Sequence, residues 1–373
     1  SEGENVLYAI WEAAQQDYTV EFYYENADGT YTIDNTLTAT RTAKTGETVS
    51  VTEDDKAKTK DAQYVFDPKN GNNVLSGEIP ATGTLGLKLY FKLNTAEYTI
   101  HHYLKGTEVK VADDQTGVET VGHTLTANKS SALYEAYANA EVDSYSPEQT
   151  ITIAATGNVI TVYYTVPLTI TAKDASKPYD GTPLIETGFT ATGLVNGNTA
   201  DKLALSMTAK STITNVGTQP NVIDQTTVKY DGGAIPKYYT VAYEPGTLTI
   251  TASETEVVVT IVGNTKTETY DGTEQSVTGY TVESISNDLY KVDYIGFTGE
   301  ATAKGTDAGT YPMGLKAEQF ANTSANFSKV KFVVTDGSLT INPFEITITA
   351  TSYTVEYDGQ AHGGNGYTAT PTV

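Results

Sequence analysis

Cysteine is absent from all 373 residues, so no disulfide can staple the fold and no thiol chemistry is open to it. With only two methionines, oxidants find little sulfur to attack. Positive charge is scarce as well: 23 Lys and Arg stand against 46 Asp and Glu, a net charge of −23. Such a chain repels phosphate backbones and anionic lipid, which argues against a nucleic-acid partner and against binding to a membrane surface. No apolar run approaches the roughly 18 residues of a spanning helix, so no membrane insertion is expected in this segment. No secretion signal opens the chain, whose first residue is Ser.

Catalytic signatures are missing too. There is no Gly-x-Ser-x-Gly, no His-Glu-x-x-His and no Walker-type phosphate loop. The histidines are four: His101, His102, His123 and His362. His101 and His102 are adjacent, and neighbours in a strand point to opposite faces, so they do not readily share one metal. The run Gly363-Gly364-Asn365-Gly366 is a flexible loop, since nothing helical follows it. The chain therefore does not read as an enzyme, and no cofactor or metal site is expected. Calcium is the metal that suits so acidic a sequence, but it needs roughly six to eight converging oxygens. No Asp-x-Asp-x-Asp run supplies them, and the pairs Asp54-Asp55 and Asp113-Asp114 read as solvated turns.

What is plentiful is Thr, Val, Tyr and Ile set between Gly, Asn and Asp, a β composition. Helix is expected at most in two short pieces. Thr52-Glu53-Asp54-Asp55 has the form of a capping box, and residues 131–139 show mild helical periodicity. In residues 18–24, Tyr18, Val20, Phe22 and Tyr24 share one face, while Thr19, Glu21 and Tyr23 share the other. Asp28-Gly29 signals a hairpin turn. A closing strand places Leu87, Leu89, Phe91 and Leu93 on one face. The pattern restarts at Tyr98, 80 residues after Tyr18, and closes again at residues 160–166. Pro167 then marks a junction, because proline cannot donate to a sheet ladder; Pro343 marks another.

Further on, a second pattern repeats. Strand 168–172 is followed by Lys177-Pro178-Tyr179-Asp180-Gly181-Thr182, strand 257–261 by Glu268-Thr269-Tyr270-Asp271-Gly272-Thr273, and strand 346–350 by Val355-Glu356-Tyr357-Asp358-Gly359-Gln360. The tyrosines are 91 and 87 residues apart. Asn215-Val216-Gly217-Thr218 and Asp307-Ala308-Gly309-Thr310 follow at matched offsets of 36 and 37 residues between glycines. Gly246-Thr247-Leu248-Thr249-Ile250 and Gly337-Ser338-Leu339-Thr340-Ile341 close the two copies, each glycine 65 residues past the one in Tyr-Asp-Gly. Periods this long mean an array of small domains. Tyr230-Asp231-Gly232 falls inside a copy and reads as a chance match.

These landmarks resemble MBG-type repeats of large bacterial surface proteins, over residues 167–373. Residues 14–166 resemble mucin-binding-protein repeats and internalin B-repeat-like β-grasp domains of Gram-positive surface proteins, through an opening Tyr-Thr-Val/Ile strand, an early turn and a tyrosine-rich closing strand. The fold class expected is mostly β: a tandem array of small β-grasp-like or β-sandwich-like domains in an elongated, monomeric rod with little helix. Its expected parts are residues 1–13 as the last strand of a preceding repeat, then 14–95, 96–166, 167–252 and 253–343, with 344–373 opening a third MBG-type repeat. Both ends read as cut from a longer protein. The resemblance implies a non-catalytic segment of an extracellular, cell-surface adhesin or stalk that binds host mucin, glycoprotein or glycan. The alternative is a spacer that projects another domain. Tyr23, Tyr90, Tyr103 and Tyr163 lie opposite the apolar set of their strands and are the candidate ligand contacts, since tyrosine stacks on sugars and anchors interfaces. Tyr179, Asp180, Gly181, Tyr270, Asp271, Gly272, Tyr357, Asp358 and Gly359 are read as structural turns, in which Asp caps its own backbone and Gly accepts positive φ.

Overall fold

A computed structural model describes residues 8–364 and 366–371. The chain is mostly β, as the composition implies, and is built from many small sheets. It divides into two compact units. One takes the described residues up to Ile170, with Ala191–Ala204 and Val228–Ala242; the other takes Thr171–Thr190, Leu205–Thr227 and the described residues from Tyr243 on.

In the first unit the strand Gln15–Glu25 follows the strict alternation of its sequence, burying Tyr18, Val20, Phe22 and Tyr24. It lies parallel to Leu85–Leu93, in the register Tyr23↔Tyr90, and antiparallel to Tyr31–Ile33 and Ala39–Lys44. Val20, Phe22, Leu87, Leu89 and Phe91 are fully buried and make the core of this sheet. The capping box at Thr52 starts a five-residue helix, Glu53–Ala57. Its Asp55 is buried, accepts from Thr52 N–H, and takes both arms of Arg41 at 2.6 and 2.9 Å. That ion pair ties the helix to the strand Ala39–Lys44 and satisfies the carboxylate, without which its burial would be costly. The second helical expectation shrinks to one 3₁₀ turn, Glu135–Tyr137.

A second sheet repeats the plan. Thr95–Leu104 lies parallel to the strand Asn158–Ala172, in the register Tyr103↔Tyr163. That strand runs straight through Pro167, against the expectation of a break there. Residues 158–164 pair with Thr95–Leu104 and residues 161–165 with Glu141–Ser146, and neither ladder reaches Pro167. Val166 N–H already bonds a different carbonyl, that of Tyr238. Proline is therefore tolerated where the strand changes partners and no ladder donor is asked of it. Of the expected closing strand in residues 1–13, residues 1–7 lie outside those described. Residues 8–13 carry no strand, and Tyr8, Ile10 and Trp11 stand exposed.

In the second unit, Ala175–Pro178 runs parallel to Gly246–Thr251, which pairs with Gly217–Asn221. Thr265–Thr269, Ser338–Asn342 and Gly309–Pro312 form the same three-stranded sheet. The register is reproduced: Ala175 faces Leu248, and 91 residues on Lys266 faces Leu339. A short strand thus intervenes between the long strand and each of the first two Tyr-Asp-Gly motifs, which sequence patterning had missed. The closing glycines have a packing reason. A Cβ on Gly246 would lie 2.6 Å from the Ala172 carbonyl, and one on Gly337 2.5 Å from that of Asn264. Residues 253–343 also bury Val257, Val259, Ile261, Tyr290, Phe320 and Phe327 in one cluster. The hairpin Thr347–Ala350/Tyr367–Thr370 reproduces, 87 residues on, the pairing of Gly263 with Tyr280 as Ala350 with Tyr367.

Candidate functional site

Two sets of residues were singled out by sequence: outward tyrosines in residues 14–166, and the Tyr-Asp-Gly turns beyond. The structure brings the tyrosines together in pairs on separate sheets. Tyr23 and Tyr90 are register partners and stack with ring centroids 4.6 Å apart and planes 8° from parallel. Tyr31, from the adjacent strand, adds its edge to Tyr90 at 5.1 Å. The Tyr23 hydroxyl donates to Glu21 at 2.8 Å, and the Lys88 amine lies 5.8 Å from its ring centre. Partial burial and that anionic acceptor push the Tyr23 phenol up to about 12. On the second sheet Tyr103 and Tyr163 are register partners, and Tyr103 stacks on His101 at 5.4 Å. All four tyrosines are half-buried. Much of the Tyr23 and Tyr90 ring faces is spent on each other, so that pair leaves mainly its ring edges to solvent. Tyr31 escaped sequence reasoning, because cross-strand proximity depends on register.

The histidines separate as expected. His101 is half-buried, with Nδ1 3.0 Å from Asp114, while His102 is fully buried. The Tyr164 hydroxyl accepts from Ser130 N–H and has His102 Nδ1 3.0 Å away as the acceptor for its own proton. Burial holds the His102 pKa below its usual value. Among the described residues no group of three or more His, Asp or Glu converges as a metal site would require.

The Tyr-Asp-Gly motifs share one local geometry. Gly181, Gly272 and Gly359 have φ of 79°, 81° and 80°. Asp180 accepts from Thr182 N–H and hydroxyl at 2.9 and 2.7 Å, Asp271 accepts both from Thr273 at 2.8 Å, and Asp358 accepts from Gln360 N–H at 3.0 Å. Asp28, Asp34 and Asp224 make the same bonds to the threonine two residues on. Asp-x-Thr is thus a turn device used throughout this chain, a signal the sequence carried. The Lys177 ammonium, 2.8 Å away, and Thr182 hold the Asp180 carboxyl well below the usual range. Glu268 occupies the equivalent place beside Asp271.

Around the first turn lies a seam between residues 167–252 and 253–343, made wholly within the second unit. The Tyr179 ring meets Phe327 edge-on at 5.4 Å. Leu289 covers Gly181 so closely that a Cβ there would lie 2.7 Å from its methyl. The Asn326 amide accepts from Val216 N–H at 2.9 Å and donates to the Asn215 side chain at 3.1 Å. Ser253 donates its N–H to the Asn326 carbonyl and accepts from Ser328. Leu289, Asn326 and Phe327 carried no sequence signal, because nothing in one copy reveals what the next lays against it.

Residues 168–249 match the family described as MBG domain (YGX type). Among curated proteins none matches this chain. Solved structures similar to it include these two. One is the type 2 repeat of the mucus binding protein MUB from Lactobacillus reuteri, at 16% identity and a TM-score of 0.15, covering 40% of this chain and 98% of that one. The other is the Bacillus anthracis TIE protein, at 10% identity and a TM-score of 0.32, covering 62% of this chain and 51% of that one.

Proposed function

We propose that this chain is a non-catalytic repeat segment of a bacterial cell-surface adhesin, held outside the cell, whose residues 14–166 contact mucin or another host glycoprotein or glycan. The family match over residues 168–249 supports the surface-repeat part of this reading. One observation carries the contact: the in-register pairs Tyr23/Tyr90 and Tyr103/Tyr163 stand half-buried on the outer side of sheets whose inner side is buried. Such rungs are amphipathic and pre-ordered, so they meet a hydroxyl-rich ligand at little cost in side-chain entropy.

A second reading is a spacer that projects another domain. It is favoured by the same stack, since Tyr90 takes one Tyr23 face that a sugar ring would use. Retention of the full chain on immobilised mucin separates the two. Binding through the tyrosines predicts that Tyr23→Ala or Tyr103→Ala lowers affinity by roughly tenfold, the scale of an interface tyrosine, while most of the melting temperature is kept. Retention unchanged in both variants, or no retention of the native chain, leaves the spacer.

A further inference from the structure

The two complete Tyr-Asp-Gly copies present the same end to different surroundings. In residues 167–252 that end is covered by Leu289, Asn326 and Phe327. In residues 253–343 the matching positions are Tyr270, Gly272, Asp307 and Ala308, in the turns that flank strands of identical register. Here they are open. A Cβ on Gly272 would meet nothing within 4 Å, where one on Gly181 meets Leu289 at 2.7 Å. Tyr179 is half-buried, whereas Tyr270 is 39% exposed. Val216 N–H is bonded to Asn326; Ala308 is exposed, and among the described residues its N–H has no acceptor. A cavity of about 650 Å³ lies at this end, with Phe344 and Ile346 exposed on its wall.

We propose that Tyr270, Asp271, Gly272, Asp307 and Ala308 form a docking seat for a further repeat of this same kind. The occupant presents a leucine at the Leu289 position and an Asn-Phe pair at the Asn326-Phe327 position. The leucine settles over Gly272, which has no Cβ to refuse it. The phenylalanine edge meets the Tyr270 ring. The asparagine accepts from Ala308 N–H and donates to the Asp307 carboxylate, a stronger acceptor than the Asn215 amide it replaces. The side chains that seat there, a leucine, an asparagine and a phenylalanine, carry no negative charge to oppose Asp271 and Asp307, which flank the opening.

The test compares the full chain with one carrying a second copy of residues 253–343 inserted between Pro343 and Phe344. Amide hydrogen exchange at Ala308 is the readout. Docking slows it by about tenfold or more, since a free N–H gains an acceptor and cover. Leu289→Asp made only in the inserted copy restores the original rate while that copy's core amides stay protected. Asp307→Ala in the resident copy, an exposed change that leaves its fold intact, also weakens the protection. An inserted copy with protected core amides and an unchanged Ala308 rate overturns the proposal. So does slowing in the unaltered chain that grows with protein concentration, which assigns the seat to a second molecule, or slowing by added mucin, which assigns it to sugar.

Discussion

His102 stands where its strand neighbours Ile100 and Leu104 are apolar, and all three side chains are buried. The Tyr164 hydroxyl serves Nδ1, and Nε2 has no partner among the described residues. The Tyr164 hydroxyl has no other acceptor among the described residues, so it donates a hydrogen bond to Nδ1 and the neutral ring carries its proton on Nε2. Burial is the main cause that disfavours the imidazolium; His101 opposes it too, while Asp114 favours it. The sign follows. The folded pKa lies below the unfolded value of about 6.5, so the unfolded chain takes up the proton first. Stability from this site is complete above that pH and is lost as pH falls through it toward the folded pKa. His101, His123 and His362 each lie beside a carboxylate. Nitrogen-detected NMR should show the His102 ring keeping its neutral form to lower pH than a histidine of the unfolded chain, and denaturation midpoints should fall from pH 7 to pH 5. His102→Phe should flatten that fall. A midpoint just as pH-dependent in the variant would place the acid sensitivity elsewhere. The sequence placed His101 and His102 on opposite faces, but which face was the core depended on the sheet.

At the scale of one turn, Gly181 and Gly272 look alike in sequence and in backbone, with φ of 79° and 81°. A β-branched side chain forced into that region costs about 1–2 kcal/mol. Gly272→Val should therefore destabilise the chain by roughly that amount. Gly181→Val should cost more, because its side chain must also displace Leu289 from 2.7 Å. Chemical denaturation of the two variants side by side reads the difference. Equal losses would mean that Leu289 moves aside freely and that the seam carries little energy. Turn chemistry was legible because Asp, Gly and Thr act over three consecutive residues. The short strands Ala175–Pro178 and Thr265–Thr269 were not, since five residues or fewer, mostly polar, give periodicity too little length to register.

Across the whole molecule the governing quantity is the net charge of −23. Surface charges act over roughly 30 Å at 0.01 M salt but only about 8 Å at 0.15 M. If residues 14–166 contact mucin, binding to sulfated or sialylated glycans should strengthen as salt rises across that range. Binding to a neutral glycan should stay level. Surface plasmon resonance at both ionic strengths tests this, and binding that weakens with salt would reveal a cationic contact that the composition gives no reason to expect.

By itself the amino-acid order determined what is written locally: β class from composition, facing from alternation, the Asp-Gly turns, the capping box at Thr52 and the copies spaced 91 and 87 residues apart. Each depends on residues a few positions apart, or on the same pattern recurring. Tertiary structure alone decided which strands lie side by side. The parallel pairing of Gln15–Glu25 with Leu85–Leu93 puts Tyr23 on Tyr90, and the seam sets Leu289 on Gly181 across 108 residues. Register and packing between distant segments depend on the shape of the partner surface, which no local pattern records. Two turns of the same backbone form therefore end up with different neighbours, one covered and one open.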